Sequence, residues 1–269
     1  MDAARRGELE KIALEVRKDV VRMLGVAGAR GLSSALGAVE ILVYLYWEQM
    51  KVYPGDRGRP DRDRFVPGKG ALAPALYACL ARKGFFDREE LWSYSRLGAM
   101  LQGHPDIRTP GIDAPGGGLG GGIGIASGMC EFLALEGIGA RVFCVVDDGE
   151  IACGSAWESI AGAARDSLGN LVLVVDSSLA GDMAAGRLEA FGWAVSRASG
   201  NDFLSLERAF REMDRSNRAP KALIARTASD GFPFSEADRG ELGSPMSRDY
   251  IDNVLSTLEQ GALDAEPNR

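Results

Sequence analysis

Residues 141–150, RVFCVVDDGE, run through an apolar stretch and halt at two aspartates, a glycine and a glutamate. A strand with one wet face alternates polar and apolar residues. An unbroken valine-rich run bounded by a turn reads instead as a strand buried on both faces. Residues 170–178, NLVLVVDSS, repeat the pattern: LVLVV is a second buried run, stopping at Asp176-Ser177-Ser178. Between them, residues 154–166 carry Trp157, Ile160, Ala161 and Ala164 on one helical face. Buried strand, helix, buried strand predicts an α/β fold, a mostly parallel central sheet with helices on both faces. In such sheets ligands bind beyond the carboxyl ends of the strands, where both acidic turns lie.

Working outward, residues 193–197 and 222–225 are further candidate strands, with a helix over 204–213 between them. About five parallel strands are expected, with 141–146 and 171–175 adjacent and central. Upstream, apolar spacing predicts helices over 8–24, from 34 or 35 to 47, and over 74–81, with Pro74 in a first turn where a missing N–H is tolerated. Asp87 reads as the N-cap of a helix over 88–97. Eight glycines fall within residues 116–128 and lead into an apolar helix through Ile125, Met129, Phe132 and Leu133. No internal repeat is visible. One domain over 1–260 and a disordered tail over 261–269 are expected.

Composition narrows the function classes. The chain has 269 residues, 46% apolar and 26% charged, as expected of a globular protein. A net charge of −7 argues against nonspecific binding to nucleic acid, which needs a positive surface to displace counterions. Residues 1–23 are studded with charge and lack the apolar core of a secretory signal. No run approaches the roughly 18 apolar residues of a membrane span, so a cytoplasmic protein with no membrane partner is expected. Cys79, Cys130, Cys144 and Cys153 form no C-x-x-C pair and read as reduced thiols rather than metal ligands or disulfides.

Asp148-Gly149-Glu150, after a buried strand, has the chemistry of a magnesium-diphosphate site. Magnesium is a hard cation that takes one or two carboxylates plus phosphate oxygens. Glycine lets backbone N–H groups approach a phosphate, and the following helix turns its N-terminus toward it. Taken alone, the turn is a weak signal that more often marks a plain loop, and Ser178 reads equally as an ordinary turn residue. An intervening helix and a parallel neighbour could bring Asp148 and Ser178 to one metal ion.

Five segments in order resemble the N-terminal domain of the transketolase family. They are LSSALGAVEIL (32–42), PDRDRFVPGKGALAPALYACLARKGF (60–85), LQGHPD (101–106), GGGLGGGIGIASGM (116–129) and DDGEIACGSAWESIAGAA (147–164). The likeness continues through residues 170–178, EAFGWAV (189–195) and KALIART (221–227), covering about 10–227. It stops where a transketolase would begin its pyrimidine-binding domain, as in split transketolases built from two polypeptides.

The resemblance implies roles. Asp148 matches the family's magnesium aspartate, with Gly149 beside the diphosphate of thiamine diphosphate and Glu150 in the same turn. Ser178 falls where the family has a magnesium-binding asparagine, and Ala180 where a backbone carbonyl completes the shell. Gly117, Gly118 and Leu119 match the stretch beside the thiamine rings. His104 matches a histidine facing the substrate, and Glu158 a glutamate near the subunit contact. A separate pyrimidine-domain subunit would complete the site, in a symmetric pair of heterodimers. The implied reaction moves a two-carbon ketol or acyl unit from a ketose or 2-oxo acid.

Departures qualify this reading. Gly31 and Ala71 stand where the family usually has histidines, and Asn201 replaces another. An acidic residue is missing near Cys153, and Ala228-Ser229-Asp230-Gly231 replaces a lysine-bearing loop. Asp147 replaces a glycine, adding negative charge next to a diphosphate site. His104 is the only histidine in the chain. Histidine dominates proton transfer near neutral pH, so these losses imply an altered acceptor, such as a carrier-bound thiol in specialised metabolism. The alternative is a non-catalytic paralogue that scaffolds or regulates an assembly.

Overall fold

The computed structural model describes residues 1–29, 31–177, 182–215, 218–227 and 246–265. A 25-residue helix opens the chain, α1 (Ala3–Ala27). The Asp2 carboxylate accepts the Arg5 N–H at its start, and Gly28 ends it in the left-handed region at φ 62°. Its apolar stripe, including Leu9, Val16, Val20 and Leu24, is fully buried.

The single helix expected from 34 or 35 to 47 is broken in two, α2 (Leu32–Gly37) and α3 (Val39–Tyr44), followed by a π-helical turn, Leu45–Gln49. Asn201 Nδ2 donates to the Gly37 carbonyl at 3.1 Å, a tertiary contact at the break. Strand β1 (Arg64–Pro67) and helix α4 (Ala73–Lys83) come next. Asp87 makes no capping bond, and only a short 3-10 helix, Arg88–Ser93, forms after it. Arg88 is drawn instead to buried Asp19 of α1 at 2.6 Å, and Ser95 turns the chain back at φ 61°.

The remaining order is α5 (Gly121–Leu135), β2 (Val142–Asp147), α6 (Asp148–Ile151), α7 (Gly154–Arg165), β3 (Leu171–Ser177) and α8 (Asp182–Ala190). Then follow β4 (Ala194–Ser199), α9 (Phe203–Met213), β5 (Lys221–Arg226) and α10 (Arg248–Ala265). Among the described residues five strands form one sheet in the order β1-β2-β3-β5-β4. Every pairing is parallel, as the apolar runs predicted, and β2 and β3 are adjacent and interior.

Alternate strand residues feed two cores. Phe143, Val145, Val172, Val174 and Leu223 pack under α1, α3, α4, α9 and α10. Cys144, Val146, Leu173, Val175 and Ile224 pack under α5, α7 and α8. All four cysteines are free, and burial pushes the Cys130 thiol up to about 12. Among the described residues no helix is long and apolar enough to cross a membrane.

Candidate active site at the carboxyl ends of the strands

The register between β2 and β3 sets Asp147 opposite Asp176, so the two acidic turns leave the sheet side by side. Asp147 is extended, and its carboxylate caps α6 by accepting the Glu150 N–H at 2.9 Å. The added carboxylate is therefore engaged with a backbone N–H at the start of α6.

Asp148 follows, and its carboxylate accepts a hydrogen bond from the Ser177 hydroxyl at 2.8 Å. Ser177 is fully buried and is the last residue of β3, in register with Arg226 of β5. Sequence reasoning assigned the oxygen ligand from this turn to Ser178. Ser178, Ala180 and the 228–231 loop lie outside the described residues.

Asp176, the other carboxylate of the turn, is already engaged. It pairs with Lys69 Nζ at 2.6 Å, with both side chains under a tenth exposed, and accepts the Thr227 hydroxyl at 2.5 Å. Lys69 Nζ also reaches the Ser34 carbonyl at 3.4 Å. The pair ties the loop after β1 to the ends of β3 and β5. Neither Lys69 nor Thr227 was singled out from sequence, because the partners lie 107 and 51 residues away.

The glycine-rich segment is pressed onto this floor. A Cβ at Gly117 would lie 2.5 Å from the Gly122 nitrogen, and one at Gly122 would lie 2.7 Å from the Gly68 Cα. These backbones meet where no side chain fits. Glu150 accepts the Gly120 N–H, and Ser155 Oγ donates to the Leu119 carbonyl at 2.6 Å. The predicted site residues Glu150 and Leu119 are thus linked through one loop, with Gly118 and Leu119 exposed at its crest.

His104 is exposed on the neighbouring loop, with its Cε1 3.7 Å from where a Cβ on Gly70 would stand. Tyr77 Oη donates to the Gln102 carbonyl at 2.8 Å and steadies that loop. Glu158 is exposed on α7, one turn beyond Ser155.

The donors present fit the chemistry of a magnesium diphosphate. They comprise one carboxylate presented by a strand-end turn, hydroxyl oxygen beside it, and glycine backbone open to phosphate oxygens. Among the described residues no three His, Cys, Asp or Glu side chains converge. A magnesium ion held largely by phosphate and water needs no such cage.

Comparison with known proteins agrees with this geometry. The family model described as transketolase, thiamine diphosphate binding domain, matches residues 16–262. Transketolase-like protein 2 of Mus musculus is 32% identical over 96% of this chain and 45% of its own length. The chain thus spans about half of that relative. A subunit of the apulose-4-phosphate transketolase of Phocaeicola vulgatus is 30% identical, over 91% of this chain and 92% of its own. The crystal structure of transketolase from Campylobacter jejuni superposes with a TM-score of 0.81 at 25% identity, covering 94% of this chain and 42% of that one. With a family model spanning nearly the whole chain and the strand-end turns set side by side, this chain belongs to the transketolase family, as a thiamine diphosphate binding domain.

Proposed function

We propose that the chain is the diphosphate-binding subunit of a two-component cytoplasmic enzyme. That enzyme would transfer a two-carbon ketol or acyl unit from a ketose or 2-oxo acid donor. The observation that carries this reading is the near end-to-end match to a relative that is itself named as one subunit of a transketolase, while larger relatives are about twice as long. Asp148 is the principal side-chain ligand for magnesium, with Ser178 and the Ala180 carbonyl completing the set. Backbone N–H groups of Gly117, Gly118, Leu119 and Gly149 face the cofactor. Thiamine diphosphate, when bound, supplies the carbanion chemistry of the transfer. His104 stands over Gly70 on the substrate side, where its imidazole holds or releases a proton. Glu150 and Ser155 keep the glycine-rich loop in place.

A pyrimidine-domain subunit would close over the exposed crest at Leu119 and the outer faces of α5 and α7. The test is co-purification with such a partner, followed by assay of retained thiamine diphosphate and turnover. Wild type should retain cofactor, Asp148→Ala should lose it, and Ser178→Asn should keep or strengthen it. Calorimetry showing Asp148→Ala binding as tightly as wild type overturns the metal assignment. Turnover from a partner-free preparation overturns the half-enzyme reading.

A further inference from the structure

The Lys69 ammonium is buried at the carboxyl ends of the strands, and nothing in the transfer chemistry proposed above uses it. A buried cation is costly unless it is paired and its N–H donors are met. Its partner is Asp176 at 2.6 Å, and the Ser34 carbonyl of α2 stands at 3.4 Å. The Asp176 carboxylate is itself divided between two segments. Its Oδ2 takes the Lys69 ammonium, and its Oδ1 accepts the Thr227 hydroxyl. Thr227 also donates its backbone N–H to the Ser177 carbonyl at 3.0 Å.

Each member of the pair stands one residue from a different half of the candidate site. Asp176 precedes Ser177, whose hydroxyl donates to Asp148. Side chains alternate along β3, so fastening Asp176 on one face of the sheet sets Ser177 on the other. Lys69 precedes Gly70, and a Cβ on Gly70 would lie 3.7 Å from His104 Cε1. The backbone at this point is fixed as well. The Lys69 N–H donates to the Val145 carbonyl of β2 at 3.0 Å, and a Cβ on Gly68 would come within 2.6 Å of Val146. A single ion pair therefore lies between the turn that holds Asp148 and the loop under His104.

We propose that Lys69 is a positioning residue for this site, acting through Asp176 on Ser177 and Asp148 and through Gly70 on His104. The metal side and the substrate side are then set by one ion pair. That the site holds magnesium and thiamine diphosphate rests on the function proposed above; the coupling of its two halves is measured without either.

His104 is the only histidine in the chain, so its imidazole gives one Cε1–H signal in carbon–proton correlation NMR of the full chain. Asp176→Asn keeps the Lys69 charge and an acceptor for Thr227, and should still move that signal. Lys69→Met should lower Tm, because it leaves the Asp176 carboxylate buried and unpaired. Combining Lys69→Met with Asp176→Asn removes both charges, as when a buried pair is replaced by neutral side chains of similar shape. Tm should then return toward wild type while the His104 signal stays displaced. Magnesium thiamine diphosphate, titrated by calorimetry into the co-purified complex, should bind that double variant at least tenfold more weakly than wild type. A His104 signal unmoved in Asp176→Asn overturns the proposal. So does a double variant that regains Tm, the His104 signal and cofactor affinity together, since the pair is then a packing device. Asp176→Asn, the mildest change, decides should the double variant not fold. Absence of cofactor binding in wild type overturns the cofactor reading instead, and the His104 signals still decide the coupling.

Discussion

On one face of the sheet, α1, α3, α4, α9 and α10 close over the strands in more than one layer, and their apolar stripes are buried within the chain. On the other face, α5, α7 and α8 form a thinner cover. There Ile123, Ala126, Cys130 and Leu133 of α5 face the strands, while Phe132 and Leu135 point outward at 58% and 86% exposed. Trp157 of α7 is half-buried, stacked on Phe191 at 6.0 Å between centroids. Exposed apolar residues scattered singly are ordinary, but two a turn apart on a helix that already buries its other face form a patch. The first face is an interior completed by this chain. The second is complete as a fold and unfinished as a surface, and it adjoins the glycine-rich loop whose crest, Leu119, is 81% exposed.

Substitutions can break or sharpen this contrast. The largest expected effect is on the closed face. Leu42→Ala, at a fully buried position of α3, should cost about 2–5 kcal/mol in chemical denaturation through lost transfer energy and a residual cavity. On the thinner face, Gly122→Ala should cost about 1–3 kcal/mol, because the new Cβ strikes the Gly68 backbone and must push α5 off β1. It should also weaken cofactor retention in the complex, since Gly117 packs against the same residue. The smallest effect on stability should come from Phe132→Ser combined with Leu135→Ser. The isolated chain should shift by no more than about 0.5 kcal/mol, as for surface changes. Self-association by light scattering, and capture of a pyrimidine-domain partner, should nevertheless fall. If that double variant unfolds as readily as Leu42→Ala, the outer side of α5 is core rather than interface and the contrast fails.

The paired acidic turns were legible because their determinants are local: each is a buried strand that ends in a turn. Gly117 was singled out by the resemblance and by no local rule, since half of the glycine run lies in helix α5. Asp147 shows where local reading stops short. Its charge counts against a diphosphate in the sequence, yet in the structure it caps α6. Ser177 shows the effect of where a strand ends. Strand β3 runs two residues past the expected Val175, and because side chains alternate along a strand, Ser177 ends buried with its hydroxyl on Asp148 while Asp176 turns to Lys69.

The sequence by itself determined the α/β class, the two central parallel strands and the end of the sheet where both acidic turns lie. Apolar runs, turn residues and helical spacing act over a few residues and need no knowledge of distant partners. Only tertiary structure decided that the four-residue segment ending in Pro67 becomes edge strand β1, and that β5 inserts between β3 and β4. It also decided that Lys69 finds Asp176 and that Asn201 reaches the break between α2 and α3. Those outcomes depend on which segments meet after the chain closes on itself, across separations of 107 and 164 residues. No local periodicity encodes such a meeting, because it is selected by burial and polar satisfaction summed over the whole fold.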